Sequence, residues 1–412
     1  MKILWVKAGG LYPPNIGGRI RSYHILKALA RRHSITLFTF YAATKDDLHN
    51  ALEHEFTQVV LMPLTISTGR AFREAVSYAR YLFSPLPYTV SKFCRPEVAH
   101  RLLQLVQENE PDVIVCDFVI AAQAIPWDTP IPKILFTHNV EAAIWGHHYR
   151  VARNPLWKLL SWREYRKMDR FEWDCLKRAD HVLTVSDHDR NIFSRLIDPS
   201  RITVIPTGVD VEYFRPSPNQ DQTTTFVFSG AMDWMPNEDA MVYFIKQILP
   251  RIRKQIPNAS LCVVGRNPSR ALLELAASHQ GIEITGIVDD IRPFVHRGAI
   301  YVVPLRIGGG TRLKIFEAMA MGKAAVSTTI GAEGLPVHPG QDILIADDPE
   351  KFADTAIRLL GDPVRREELG RTARELVNRT YSWDAVVQPF ETVLNMLVEM
   401  KSNPRCFVNN PE

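Results

Sequence analysis

Pro304-Leu305-Arg306-Ile307-Gly308-Gly309-Gly310-Thr311-Arg312-Leu313-Lys314-Ile315-Phe316-Glu317-Ala318-Met319-Ala320-Met321-Gly322 decides the reading of this chain. The β-rich run Ala299–Val303 leads into it, three glycines turn the chain, and a helix opens near Thr311. Amides exposed at such a start form an anion-binding nest, and Arg306, Arg312 and Lys314 add full positive charges. That combination suits a diphosphate. Glu317 falls about two turns into the helix, where a carboxylate can accept two hydroxyls of a ribose. A charged surface helix with a glycine hinge is the plainer alternative, but it leaves three glycines directly ahead of two cations without a reason. A P-loop is excluded, because GxxxxGK[ST] is absent.

Working outward, short β-rich runs alternate with amphipathic stretches of helical length, the pattern of parallel sheets with crossover helices. Upstream of the glycine turn the expected strands are Thr225–Ser229, Ser260–Val264, Ile282–Thr285 and Ala299–Val303; downstream they are Ala324–Ser327 and Asp342–Ile345. Helical stretches are expected within Asn237–Gln247, Ser269–Ala277, Pro349–Leu360, Pro363–Thr380 and Trp383–Met400. Three further turns end strands of this half: Gly230 in Phe228–Trp234, Arg266 in Val264–Pro268, and Val288 in Thr285–Asp289, which could hold a base by its backbone. Each alone is ordinary turn chemistry. Together they are what a nucleotide crevice at the carboxyl edge of a sheet needs.

The proline- and glycine-bearing stretch from Pro206 to Asp210, followed by the polar run Asn219–Thr225, marks a domain boundary. Before it, strands are expected at Ile3–Lys7, Ile35–Tyr41, Gln58–Met62, Val113–Cys116, Lys133–Thr137, His181–Val185 and Ile202–Ile205, with helices at Arg19–Arg31 and Asn154–Arg178. Two features of this half bear on chemistry. Gly9–Gly18 is a glycine-rich turn after the first strand, and Gly17 and Gly18 let the backbone approach a ligand. It does not match GxGxxG, so a dinucleotide fingerprint is unsupported. His138 ends a buried strand and could donate to a hydroxyl or act as a base, although a lone histidine is more often structural.

Composition sets the outer limits. The 412 residues suggest two domains, and 46% hydrophobic with 23% charged residues argues against disorder. The net charge of +4 hides a split: residues 1–205 carry +7 and 206–412 carry −3. No dense basic stripe points to nucleic acid, and a basic half suits anionic lipid or an acidic substrate better. The five cysteines lie at least 22 residues apart, so neither a zinc knuckle nor a disulfide framework is indicated and a reducing compartment is expected. The N-terminus reads as a strand instead of a signal peptide, and no run of 18 apolar residues occurs.

The 304–322 segment, followed by Ala324–Ser327 and Gly331-Ala332-Glu333-Gly334, resembles the donor-site signature of retaining GT-B glycosyltransferases of the GT4 type. The Gly17-Gly18 loop, the His138 strand end, Val185-Ser186, Ile205–Asp210 and Tyr381-Ser382-Trp383 resemble family landmarks in the same order. The resemblance implies an α/β GT-B fold, two Rossmann-like domains facing each other across a cleft. Residues 1–207 would be the acceptor side and 208–381 the donor side, with a helix at about 382–400 crossing back. It further implies that Glu317 binds the ribose, that Gly309, Gly310 and Thr311 meet the donor, that His138 faces the transferred sugar, and that Gly17 and Gly18 approach the diphosphate or acceptor.

Two departures stand out. The family pairs Glu317 with a glutamate eight positions earlier, where this chain has Gly309. Ala231 occupies a position where the family has arginine, and no lysine lies between 231 and 245. The positive charge is instead expected from Arg306, Arg312 and Lys314. The expected reaction is transfer of a sugar from a UDP- or GDP-sugar to an acceptor hydroxyl with retention, without cofactor or metal. Trp157, Trp162 and Trp173 among the cations from Arg150 to Arg170 suggest a lipid-linked or saccharide acceptor reached from an anionic membrane surface, although a solvated helix with inward tryptophans explains them equally. A cytoplasmic protein, peripheral at the inner membrane face, is therefore expected. A nucleotide-sugar epimerase and a non-catalytic small-molecule binding protein are the rival readings.

Overall fold

The computed structural model describes residues 1–14, 17–42, 49–64, 78–217, 223–307 and 313–402. The chain divides into two compact units: Met1–Thr207 with the chain from Val386 onward, and Gly208–Ala385. Each is built on one parallel sheet.

In the first unit β1 (Lys2–Ala8), β2 (Ser34–Ala42), β3 (Gln58–Leu64), β4 (Val113–Asp117), β5 (Lys133–Phe136), β6 (His181–Thr184) and β7 (Ile202–Val204) are ordered β3-β2-β1-β4-β5-β6-β7. Strands β1, β4, β5 and β6 are buried almost throughout, which is why they read as continuous apolar runs without alternation. Helices Gly17–Ala30, Pro96–Asn109, Glu141–Val151, Pro155–Arg178 and Asp187–Phe193 supply crossovers. The sequence reading omits Pro96–Asn109. Its signals are nonetheless present: Pro96 at the first position, Val98, Leu102, Leu105 and Val106 on one buried face, and Glu110 ending it at φ 45°.

The second unit holds β8 (Thr225–Ser229), β9 (Ser260–Val264), β10 (Ile282–Ile284), β11 (Ile300–Val303), β12 (Ala325–Ser327) and β13 (Leu344–Ile345), ordered β10-β9-β8-β11-β12-β13. The expected Asn237–Gln247 helix begins earlier, at Met235, and passes through a π turn at Phe244–Ile248 before Leu249–Arg253. Pro250 explains the wider turn: it has no amide to donate and its ring would collide with a carbonyl four residues back. The closing helix runs Trp383–Ser402, with Pro389 inside it. Phe390 of this helix belongs to the first unit, where it stacks on Trp5 at 5.6 Å while Glu391 takes Arg32 at 2.8 Å and His33 at 3.1 Å. Burying such a phenylalanine contributes about 2–3 kcal/mol.

Both sheets reverse their winding beside their first strand. The first does so between β1 and β4, the second between β8 and β11. Ligands of open α/β sheets bind at the carboxyl ends of the strands at such a switch point.

Candidate functional site

At the first switch point a group of charged and polar side chains interlocks. Lys7 and Asp117 are register partners near the ends of β1 and β4, and Lys7 Nζ lies 3.0 Å from Asp117 Oδ2. The same oxygen accepts from Trp5 Nε1 at 2.9 Å, and Asp117 Oδ1 lies 2.6 Å from His138 Nε2. On the other ring edge, Arg21 Nη1 approaches His138 Nδ1 at 3.2 Å. A guanidinium only donates, so Nδ1 accepts and Nε2 carries the proton that it gives to Asp117. His138 is thereby a neutral imidazole of fixed tautomer, and burial draws its pKa down to about 4 against the opposing pull of Asp117. Burial alone would raise the Asp117 carboxyl; Lys7 and the hydrogen-bonded His138 outweigh it and hold the group well below the usual carboxylate range.

Arg21 is itself buried, which lowers its pKa to about 10 with Asp117 and Asp189 opposing, and it donates to Thr207 Oγ1. Ser22 completes the group, accepting from Lys7 Nζ at 2.9 Å and donating to the Gly18 carbonyl. A Cβ at Gly18 would stand 3.8 Å from His138 Nδ1, so the glycine turn and the histidine meet as neighbours; at Gly17 nothing lies within 4 Å. The expected His138 is therefore in place, but not as a free base: both ring nitrogens are engaged inside the protein. Lys7, Asp117, Arg21 and Ser22 escape the sequence reading. The available signal was a charge terminating each of two wholly apolar runs, Ile3–Val6 and Val113–Cys116.

At the second switch point the turns after β8 and β9 are stitched together. Gly230 N donates to the Val264 carbonyl and Met232 N to the Arg266 carbonyl, each at 2.8 Å. Gly265 is required here, since a Cβ would fall 1.6 Å from the Gly230 carbonyl oxygen. Across the switch Tyr301 Oη meets Ser229 Oγ at 2.8 Å. Glu317 sits in the helix Leu313–Ala320. Its flanking residues Ile315, Phe316, Ala318 and Met319 are buried and anchor the helix; Phe316 stacks on Tyr381 at 4.1 Å. Burial raises the Glu317 pKa, and Lys314, one turn earlier on the same face, opposes that shift. For Lys314 the order is reversed: loss of solvent around the ammonium lowers its pKa, Glu317 raises it, and Arg266 lowers it again. Glu317, Lys314, Arg266 and Gly230 thus gather at one sheet edge.

Gly309, Gly310, Thr311 and Arg312 lie outside the described residues. Arg306 is not brought to the Glu317 group: its guanidinium grips Asp239 through two bonds of 3.0 and 2.5 Å and lies over the Tyr243 ring at 4.5 Å. The Val288 side chain packs, partly buried, against the second core, while the role expected there is one of the backbone. Arg266 is exposed and only loosely paired, 3.9 Å from Asp233.

Comparison with known proteins follows the same division. The family described as Glycosyltransferase Family 4 matches residues 17–213, and the one described as Glycosyl transferases group 1 matches residues 223–362. A GDP-mannose-dependent monoacylated alpha-(1-6)-phosphatidylinositol monomannoside mannosyltransferase of Corynebacterium glutamicum is 24% identical over 410 residues, covering 93% of this chain and 95% of that protein. Among solved structures, sucrose-phosphate synthase from Thermosynechococcus elongatus superposes with a TM-score of 0.65 at 18% identity, over 97% of this chain and 99% of the other. Anabaena HepE in complex with UDP gives 0.64 at 14% identity, over 96% and 100%. These likenesses bear out the GT-B fold, favour sugar transfer over the epimerase and the binding-protein readings, and fit a nucleotide-sugar donor with a glycolipid or saccharide acceptor. The chain belongs to the GT4-type glycosyltransferases.

Proposed function

We propose that the chain transfers a hexose, with retention and without a divalent ion, from a UDP- or GDP-sugar to a hydroxyl of a lipid-linked or saccharide acceptor. The single observation that carries this reading is Glu317 beside Lys314 at the second switch point, a half-buried carboxylate and a cation one helical turn apart. In this reading the second unit takes the donor. Glu317 accepts the ribose hydroxyls, Lys314, Arg266 and the 308–312 turn with Gly309, Gly310, Thr311 and Arg312 meet the diphosphate, and the backbone near Gly230 and Val288 borders the nucleoside. The first unit takes the acceptor, with Gly17, Gly18 and the fixed His138 ring lining it.

The bond from the anomeric carbon to the diphosphate oxygen breaks, and the acceptor oxygen attacks the same face. Its proton passes to the leaving diphosphate. His138 is not needed as the base, consistent with its engaged nitrogens. Lys314 opposes the charge that builds on the leaving group, where one such contact is worth about 10²–10³ in rate. The enzyme works on the cytoplasmic side in peripheral contact with the inner membrane face. Incubation with a panel of radiolabelled UDP- and GDP-hexoses, with and without EDTA, tests the reading. Slow donor hydrolysis or transfer that survives EDTA is expected; interconversion of sugars without release of nucleotide would overturn it.

A further inference from the structure

The geometry points to the hairpin of helices Glu141–Val151 and Pro155–Arg178 as a docking surface for an anionic lipid bilayer. The proposal deepens the lipid-linked acceptor reading and rests on it for its purpose, while the surface itself follows from charge and exposure.

The two helices are held as one piece. Trp157 lies 6.5 Å from Trp145 and 6.3 Å from His148, and the Lys158 ammonium covers the Tyr149 ring at 5.6 Å. The base of the hairpin is tied by Glu172, whose carboxylate accepts from the amides of Glu141 at 2.9 Å and Ala142 at 3.2 Å. Its tip stands clear of the body: every residue from Arg153 to Leu159 is exposed. Leu156 is 65%, Leu159 59%, Trp157 46% and Trp162 46% exposed. With 3.6 residues per turn, Pro155, Leu159, Trp162 and Arg166 fall on one stripe of the second helix. The C-terminal part of that helix is different in kind, because Lys167 is engaged by the Ser84 and Leu86 carbonyls and Trp173 lies under Lys177.

Charge selects the occupant. No aspartate or glutamate occurs between Glu141 and Glu164, and both of those flanking acids are buried. Arg150, Arg153, Lys158 and Arg163 occupy the interval; Arg163 is spent on Glu164 at 2.9 Å, which leaves Arg150, Arg153 and Lys158 for the surface. Indoles and leucines at the level of the headgroups, with cations around them and no opposing acid, fit a bilayer bearing phosphatidylglycerol or a similar anionic lipid. No helix of the described residues is long and apolar enough to cross a membrane, so the contact is at its surface.

Sedimentation of the full chain with vesicles of phosphatidylcholine, with and without phosphatidylglycerol, tests this. Binding is expected only with phosphatidylglycerol and should weaken steeply with salt. Removing two of the cations in Arg153→Gln/Lys158→Gln should lower partitioning about 25-fold, since each cation near an anionic surface is worth about fivefold. Leu159→Ser/Trp162→Ser should also reduce binding while leaving charge unchanged. Because these four side chains are exposed, UDP or GDP binding by each variant serves as the folding control. Equal binding by wild type and variants, or none to anionic vesicles, overturns the proposal. So does a change of oligomeric state in Leu159→Ser/Trp162→Ser, by light scattering, with vesicle binding intact, which would make the surface an interface between copies. Vesicle binding with no sugar transfer from any donor would instead overturn the transferase reading alone.

Discussion

The two switch points have the same topology and opposite electrostatic states. At the first, Lys7, Asp117, His138 and Arg21 bond to one another in the interior, Asp117 is fully buried, and Arg21 Nε is left without a hydrogen-bond partner. At the second, Arg266 is exposed, and Glu317 has Lys314 as a nearby cation but sits with its pKa raised. A network bonded internally and buried is rigid before any ligand arrives. A partly solvated one has charge left to give to a ligand. The comparison therefore predicts that mutations at the first site act first on stability and those at the second on turnover.

The largest expected effect tests the closed half. Asp117→Ala leaves Lys7 buried without its counter-charge and frees the His138 tautomer. Removing one partner of a buried pair typically costs about 3–5 kcal/mol. Urea denaturation followed by tryptophan fluorescence should show a loss of that size; a loss under about 1 kcal/mol would mean that the cluster is open to solvent and the contrast is false. Lys314→Ala probes the other half. Turnover with the preferred donor should fall about 10²–10³-fold while the urea midpoint hardly moves. Undiminished turnover would remove Lys314 from the leaving-group role.

The contrast also marks what could be seen in the sequence. Glu317 and Lys314 were legible because helical spacing after a glycine turn is a local pattern, and local patterns survive in one dimension. The strands were legible for a related reason: buried parallel strands such as Val113–Asp117 are uninterrupted apolar runs. The Lys7–Asp117–His138 cluster joins residues 110 and 21 positions apart, and only the order β2-β1-β4-β5 makes them neighbours. Arg306 misled for the converse reason. Its closeness in sequence to the glycine turn says nothing of Asp239, which reaches it from 67 residues away.

An intermediate effect tests the His138 assignment through pH. Its folded pKa of about 4 lies below the ordinary 6.5, so the unfolded chain binds the proton more readily. Stability from this group is complete above pH 6.5 and is lost as pH falls toward 4, by roughly 3 kcal/mol at most. His181, drawn to about 4 by burial, adds a similar slope, so the measurement is the difference between wild type and His138→Gln. Buried Glu172, raised to about 8, slopes the opposite way in both proteins and cancels in that difference, which should shrink by up to roughly 3 kcal/mol between pH 6.5 and 4. Equal slopes would mean that His138 is solvated and free to act as a base after all.

The smallest expected effect is at Arg306, and it sharpens the comparison most. The residue lies in the unit with open charges, yet its own charge is closed on Asp239 and Tyr243. The pair is exposed, 50% for the arginine side chain and 24% for the aspartate, so Arg306→Ala should cost about 1 kcal/mol or less. If the pairing is the whole of its role, kcat should stay within about tenfold of wild type, well short of the 10²–10³ lost with a leaving-group contact. Asp239→Ala separates the cases further. A purely structural pair makes the two variants alike in stability and activity. An arginine that leaves Asp239 to meet the diphosphate makes them opposite, with Asp239→Ala retaining turnover and Arg306→Ala losing it, because only the first variant leaves the guanidinium free to travel.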